Sequence, residues 1–338
     1  MSVKIGINGF GRIGRVAIRQ IEQLGDKFEI SAINYRNVDL NYMVYMLRYD
    51  TLFGRFSGTL DVYENGLVIN GKKVPVYDED VSKINWGEVG ADYVIDTTGV
   101  YTTTEKCREH LDAGAKKVII SAPAKDKITP SFVYGVNHEI YNSDMKVVSG
   151  ASCTTNCLAP MCKVLQDNFG IKEGFMSTIH SSTSKQKPVD SRSMKDWRVG
   201  RSIYGNIIPS TTGAAKAVGL VIPELLGKMT GNSYRIPTAD VSVVDLNVVL
   251  ETPTSLEEIN ARIKEASETY LKDVIEFVDD EVVSTDFLGS WYPCCYDLRQ
   301  GIALNDHFFK LVAFYDNEWG YTANLLRLIA YMAEVDAK

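Results

Sequence analysis

A short apolar run, Val3 to Ile7, passes directly into Asn8-Gly9-Phe10-Gly11-Arg12-Ile13-Gly14, and a helical pattern from Arg12 to Leu24 follows without a break. Strand, G-x-G-x-x-G and helix in immediate succession leave few folds open. The glycines permit a tight turn and a close backbone approach to a pyrophosphate, which rests on the positive end of the helix and its unpaired N–H groups. A chain that begins this way is expected to build a doubly wound α/β domain with a parallel sheet. Gly9, Gly11 and Gly14 are its expected dinucleotide contacts.

The second strand, Phe28 to Asn34, ends where a binder of NAD usually places a carboxylate for the ribose 2′-hydroxyl, about 20 residues beyond the glycines. Here Tyr35-Arg36 follow Asn34. A carboxylate repels a 2′-phosphate, whereas a guanidinium offers it a fork of donors, so the pair favours NADP over NAD. The competing reading is a solvated strand end, and the position alone does not separate the two.

A length of 338 residues exceeds one small core and implies two domains. The net charge of −7 supplies no basic footprint for nucleic acid or anionic membranes, so any anion site must make its own local field. No apolar stretch approaches the roughly 18 to 20 residues of a membrane span, and the N-terminus is already strand and turn, so a cytoplasmic protein is expected. Six cysteines, three of them at Cys153, Cys157 and Cys162, do not form a secreted disulfide framework and are read as thiols. No metal site is expected.

Up to residue 152 short strands alternate with helices, the pattern of a parallel sheet, and residues 60–76, with Asn65-Gly66 and Asn70-Gly71, read as inserted hairpins. Beyond it the expected strands are longer, at 174–181, 233–236, 241–250 and 308–315, with helices at 154–168, 213–222 and 255–270. That half is expected to form an α+β catalytic domain with a mixed or antiparallel sheet. The domains are therefore drawn at 1–152 with a returning apolar C-terminal helix (318–338), and 153–317.

The densest chemical signal is Ser149-Gly150-Ala151-Ser152-Cys153-Thr154-Thr155-Asn156-Cys157-Leu158-Ala159-Pro160, leading from strand to helix. Cys153 falls at the helix N-terminus, where dipole and free N–H groups are expected to lower its pKa and favour the nucleophilic thiolate. Of four histidines, His110, His138, His180 and His307, the one best placed to pair with it is His180, at the end of a strand in the second half. It serves as ion-pair partner or as acid and base. Cys107, Cys162, Cys294 and Cys295 read as small buried hydrophobes, and Cys157, one helical turn beyond Cys153, reads as packing or as a partner in oxidation.

These residues, with INGFGRIGR, NIIPSTTGAAKAVG, RIPT, VSVVDL and YDNEWGY, resemble phosphorylating glyceraldehyde-3-phosphate dehydrogenase over essentially the whole chain. The resemblance implies that Cys153 attacks the aldehyde of glyceraldehyde 3-phosphate, that hydride leaves the thiohemiacetal for the nicotinamide, and that inorganic phosphate releases the thioester as an acyl phosphate. His180 would assist as base. Ser152, Thr154, Thr183, Thr212, Gly213 and Arg235 match its substrate and phosphate ligands, and Gly9, Arg12, Ile13, Gly14, Thr98, Gly99, Ser121 and Asn317 its cofactor contacts. A homotetramer is implied as well. In it a loop matching 181–206 approaches a neighbour's cofactor, and Arg198 and Arg201 in that loop read either as phosphate ligands or as solvated charges.

The chain departs from the pattern at several places. NAD-specific members carry Asp where Tyr35 stands, and a bulky residue with proline where this chain has Ser191-Arg192, so both changes point to NADP. Glu79 stands where the family often has arginine near the adenine, Gly150 replaces a common asparagine, and Lys185 adds positive charge to the phosphate-binding stretch. The alternatives are a related dehydrogenase of phosphorylated aldehydes such as erythrose 4-phosphate, a non-catalytic binding paralogue, and a cysteine hydrolase. The last leaves the dinucleotide fingerprint without a purpose.

Overall fold

Two compact units are built from the chain. In the computed structural model, which describes residues 2–37, 39–194 and 196–338, one unit runs to Phe132 and adds His138–Ala151 and Leu325–Lys338, while the other comprises Val133–Asn137 and Ser152–Asn324. The first contains β1 (Val3–Asn8), α1 (Arg12–Leu24), β2 (Phe28–Asn34), α2 (Leu40–Arg48), the short pair β3 (Tyr49–Asp50) and β4 (Gly54–Arg55), β5 (Leu60–Tyr63), β6 (Gly66–Ile69), β7 (Lys72–Tyr77), β8 (Tyr93–Asp96), α3 (Thr104–Asp112), β9 (Lys117–Ile120) and β10 (Val147–Ser149).

Its main sheet has the order β10-β9-β8-β1-β2-β7-β6-β5. Every pair from β10 to β7 is parallel, and the β5-β6-β7 edge is antiparallel. Ile5, Ile7, Val94, Ile95, Val118 and Ile119 are fully buried, as expected for parallel strands covered on both faces. The chain leaves β1 for β2 on one side and later adds β8 on the other, so the strand order reverses at β1. Such a reversal opens a crevice at the carboxyl ends of the strands, which is where Gly9 lies.

The hairpin reading needs one correction. Ile69 pairs with Lys72 across Asn70 (φ 48°) and Gly71 (φ 80°), both in the positive-φ conformation a type I′ turn requires. Tyr63 pairs with Gly66, however, so that turn is made by Glu64-Asn65 and Gly66 belongs to β6. A Cβ on Gly66 would come 2.2 Å from the Val74 carbonyl oxygen, so close strand packing explains the glycine.

The second unit contains α4 (Cys153–Phe169), β11 (Ile171–His180), β12 (Ile208–Thr211), α5 (Ala214–Val221), β13 (Met229–Arg235), β14 (Ser242–Leu250), α6 (Leu256–Glu268), β15 (Ile275–Val278), β16 (Cys294–Ala303), β17 (Phe308–Tyr315) and the start of α7 (Trp319–Asp336). Its sheet, β12-β13-β11-β14-β17-β16-β15, is mixed: β11 runs parallel to β13 and β15 to β16, and the other pairs are antiparallel. β14 alternates strictly, burying Val244, Leu246, Val248 and Leu250, the signature of a sheet with one packed face. α4 packs on β11, β14, β16 and β17 and touches both α5 and α6, which puts the three helices on one side.

Three strands of the second unit have no counterpart in the sequence reading. β12 is an edge strand carrying Pro209, where proline is tolerated and strand pattern is weak. β16 breaks register between Asp297 and Ile302, and β15 is four residues long. Among the described residues no helix is long and apolar enough to cross a membrane.

Candidate active site

The first unit forms a cradle from backbone geometry. Gly9 has φ 109°, and its N–H donates to the Asn34 carbonyl at 2.8 Å, tying the glycine turn to the end of β2. Gly14 packs so closely that a Cβ there would sit 2.3 Å from the Gly9 carbonyl oxygen. The α1 N-terminus, with Gly11 as its cap residue, has no side-chain cap, and nothing lies within 4 Å of a Cβ built on Gly11. Open space above uncapped N–H donors suits a pyrophosphate. Arg12, expected as a cofactor contact, holds Asp50 with its guanidinium at 2.5 and 3.1 Å.

A buried polar network backs this cradle. Asn34 donates to Asn8, and Asn8 to Asp96 at 2.6 Å. Asp96 also receives the backbone N–H and hydroxyl of Thr98 and lies 3.3 Å from His110 Nε2. Trp86 donates to His110 Nδ1 at 3.2 Å, which fixes that nitrogen as acceptor and leaves Nε2 to donate to Asp96. Gly99 follows with φ 71°, and the Ser121 N–H reaches the Asp96 carbonyl. Sequence reasoning left His110 and Trp86 without a role because their partners are 14 and 24 residues away in sequence.

Just beyond that same end of β2 the Tyr35 ring lies 5.7 Å from that of Phe10, centroid to centroid. Arg36 is not simply a solvated charge. Its Nε lies 3.4 Å from Asp78, and its Nη1 bonds Asp80.

In the second unit Ser152 caps α4 through the Thr155 N–H, and Cys153 is the first helical residue. His180 ends β11, with Nε2 3.5 Å from Cys153 Sγ. Its Nδ1 faces the Ser181 carbonyl at 2.9 Å and Arg235 Nη1 at 2.6 Å. The carbonyl requires a proton on Nδ1, and the arginine, which only donates, requires none. The two contacts therefore belong to different tautomers. A proton on Nδ1 leaves Nε2 free to accept from the thiol, and a proton on Nε2 can be donated to it.

The electrostatics correct the expectation of a lowered thiol pKa. Burial pushes the Cys153 thiol up, opposed by the Arg235 charge and by hydrogen bonds from Thr154. Burial, then the same guanidinium, pushes His180 down to about 3, opposed by the Ser181 carbonyl. Both directions favour thiol beside neutral imidazole over an ion pair.

The expected phosphate ligands divide into two groups. Gly213, the cap residue of α5, has no side-chain cap, and the Thr212 hydroxyl accepts from Ala214 N–H at 3.1 Å, so the helix start retains donors for an anion. Thr183 holds Gln186 through backbone and hydroxyl, at 2.9 and 2.8 Å. The Thr154 hydroxyl points inward, 2.8 Å from Tyr315 Oη, which also reaches Thr178 at 2.9 Å. Asn317 accepts from Ser181 and Ser242, each at 2.7 Å, committing its oxygen and leaving its NH₂ as donor. In the loop before β12, Arg201 forms an exposed ion pair with Asp190 at 3.0 Å. Ser191 N–H bonds the Gly200 carbonyl, and exposed Arg192 rests on Met194 sulfur.

Two further features were missed. Tyr315 lies edge-on to His180, centroids 5.9 Å apart. Asp240 and Asp316 form a buried carboxyl pair next to Asn317, with burial, then Asp316 and Glu318, pushing Asp240 up to about 9. Both lie in strand-end or loop segments whose partners are remote in sequence.

Comparison with known proteins agrees with this geometry. Residues 3–104 match the family domain described as glyceraldehyde 3-phosphate dehydrogenase, NAD binding domain, and residues 152–317 match its C-terminal domain. The chain is 55% identical over 338 residues to glyceraldehyde-3-phosphate dehydrogenase 2 of Mucor circinelloides f. lusitanicus, covering 100% of this chain and 99% of that protein. It is 54% identical over 337 residues to the glyceraldehyde-3-phosphate dehydrogenase of Schizophyllum commune, covering 99% of each. The Phaffia rhodozyma glyceraldehyde-3-phosphate dehydrogenase is also 54% identical, over 340 residues and the full length of both chains.

Proposed function

The chain belongs to the glyceraldehyde-3-phosphate dehydrogenase family of oxidoreductases, and on that premise we propose that it oxidises D-glyceraldehyde 3-phosphate with inorganic phosphate to 1,3-bisphosphoglycerate, using NAD or NADP, in glycolysis or gluconeogenesis. The observation that carries this reading is the 3.5 Å approach of Cys153 Sγ to His180 Nε2 at the start of α4.

With its Nε2 unprotonated, His180 takes the thiol proton as Cys153 sulfur bonds the aldehyde carbon, so the resting neutral pair is competent for attack. The aldehyde oxygen becomes the hydroxyl of a thiohemiacetal. His180 then removes that proton as the carbonyl re-forms and hydride departs. A bound nicotinamide dinucleotide supplies the hydride acceptor. Phosphate oxygen attacks the resulting thioester, the carbon–sulfur bond breaks, and the thiolate recovers its proton through His180. Thr212 and Gly213 at the α5 start, with Ser152 and Arg235, supply the donors for phosphate groups, and Thr183 joins them when phosphate displaces Gln186 from its N–H and hydroxyl.

For the cofactor, Tyr35 in place of an acid removes the group that would repel a 2′-phosphate, and Arg36 and Arg192 supply positive charge. NADP is accepted beside NAD and favoured. Steady-state kinetics on both cofactors test this: a tenfold or greater NAD advantage in kcat/KM overturns the NADP preference. The Cys153→Ser protein should lose turnover, and retained turnover overturns the nucleophile assignment. A homotetramer in the cytoplasm completes the reading, supported by exposed Val189, Met194, Trp197, Tyr204 and Ile207 in one loop region. Light scattering on the purified protein tests the assembly.

A further inference from the structure

Arg36, the cation assigned above to the 2′-phosphate, is held by two carboxylates. Its Nη1 bonds Asp80 and its Nε lies 3.4 Å from Asp78. The two acids do different things. Asp78 also accepts from the Asn37 N–H at 2.8 Å, and Asn37 has φ 57°, so Asp78 stabilises a left-handed turn beyond β2. The Asp80 carboxylate makes its contact with Arg36 alone among the described residues.

The segment carrying these acids is fixed in place. Asn34 Nδ2 donates to the Glu79 carbonyl at 3.2 Å, and the Glu79 N–H donates back to Asn34 Oδ1 at 3.3 Å. Tyr35 N–H bonds the Tyr77 carbonyl at 2.9 Å. Asp78, Glu79 and Asp80 thus form three consecutive acids pinned beside the strand end. Arg36 faces Asp78 and Asp80, and Lys83 faces Glu79 at 3.8 Å, so carboxylates outnumber cations there.

We propose that Asp80 is a specificity-determining residue that competes with a cofactor's 2′-phosphate for Arg36. The proposal rests on the reading of Arg36 as the group that meets this phosphate. The Arg36 side chain is 54% exposed and that of Asp80 63%, and ion pairs so open to water are weak and salt-sensitive. A doubly charged phosphate offers the same guanidinium a stronger partner. Asp80 therefore leaves NADP binding possible but opposes it, by occupying Arg36 and by repelling the incoming phosphate. An unphosphorylated ribose meets neither effect, which lets one site take both cofactors.

The test is binding of 2′,5′-ADP and of ADP to the full chain by titration calorimetry at fixed ionic strength, for wild type, Asp80→Asn, Arg36→Gln and the double variant. Asp80→Asn should tighten 2′,5′-ADP by about fivefold and change ADP by less than twofold. Arg36→Gln should weaken 2′,5′-ADP about tenfold, and the gain from Asp80→Asn should shrink in its background. Equal tightening of both probes overturns the proposal, because it shows general repulsion of phosphates. Unchanged 2′,5′-ADP binding in Asp80→Asn, with the Arg36→Gln loss intact, overturns it while leaving the NADP reading standing. Unchanged 2′,5′-ADP binding in Arg36→Gln removes the reading of Arg36 and the proposal together.

Discussion

Arg235 Nη1 lies 2.6 Å from His180 Nδ1, on the side of the imidazole opposite to Cys153. One guanidinium acts on both members of the pair, lowering His180 and opposing the rise that burial imposes on Cys153. Arg235→Gln removes both effects. His180 should move up toward its ordinary range and Cys153 further up. The midpoint of iodoacetamide alkylation of Cys153 against pH is therefore expected to shift upward. An unchanged alkylation profile would show that Arg235 serves substrate binding alone.

Tyr315 is fully buried and its hydroxyl joins Thr154 on α4 to Thr178 on β11. Tyr315→Phe keeps the ring beside His180 and leaves two buried threonine hydroxyls without that partner. A loss of about 1–3 kcal/mol in stability is expected. Denaturant unfolding measures it, and a loss below about 0.5 kcal/mol would mean that the threonines find other acceptors.

Alanine ordinarily improves a helix over glycine by about 1 kcal/mol. At Gly14 the sign should reverse, because the new Cβ would meet the Gly9 carbonyl oxygen at 2.3 Å and push the glycine turn away from α1. Gly14→Ala should weaken dinucleotide binding by about tenfold or more, read by fluorescence titration. Binding as tight as wild type would show that the turn adjusts without cost.

Asp240 and Asp316 are buried carboxyls that act on each other, and burial with the neighbouring carboxylates calls for a proton on Asp240. Buried Asp240 Oδ2 has no donor among the described residues, in keeping with that need. With Asp240 pushed up to about 9, the folded chain keeps a proton that the unfolded chain releases above about pH 4. The folded state binds more protons between these values, so the pair's contribution to stability falls as pH rises through that window. Asp240→Asn supplies a permanent donor. Its melting temperature relative to wild type should become more favourable from pH 5 to pH 9, and a constant difference by calorimetry would refute the retained proton.

The local features were legible in the sequence because their causes are local. Gly9, Gly11 and Gly14 specify a turn at fixed spacing, Ser152 caps the helix that begins at Cys153, and alternation along residues 242–250 marks a sheet with one packed face. The pairing of Cys153 with His180 was read from a helix start and a strand end, and the family resemblance strengthened it. β12, β15 and β16 were not legible, since an edge proline, four-residue length and a register break each remove the periodic signal.

The sequence by itself determined the α/β frame and the dinucleotide turn, and it singled out Cys153 and His180 as the candidate thiol and imidazole. Only the tertiary structure decided how those groups behave. Burial is a property of the assembled unit, and it reversed the direction expected for Cys153 from helix position alone. Arg235 reaches His180 across 55 residues of sequence, and Asp80 reaches Arg36 across 44. Charges separated so far in the chain interact only when paired strands bring them together, and the state of both the Cys153 thiol and the Arg36 guanidinium depends on those encounters.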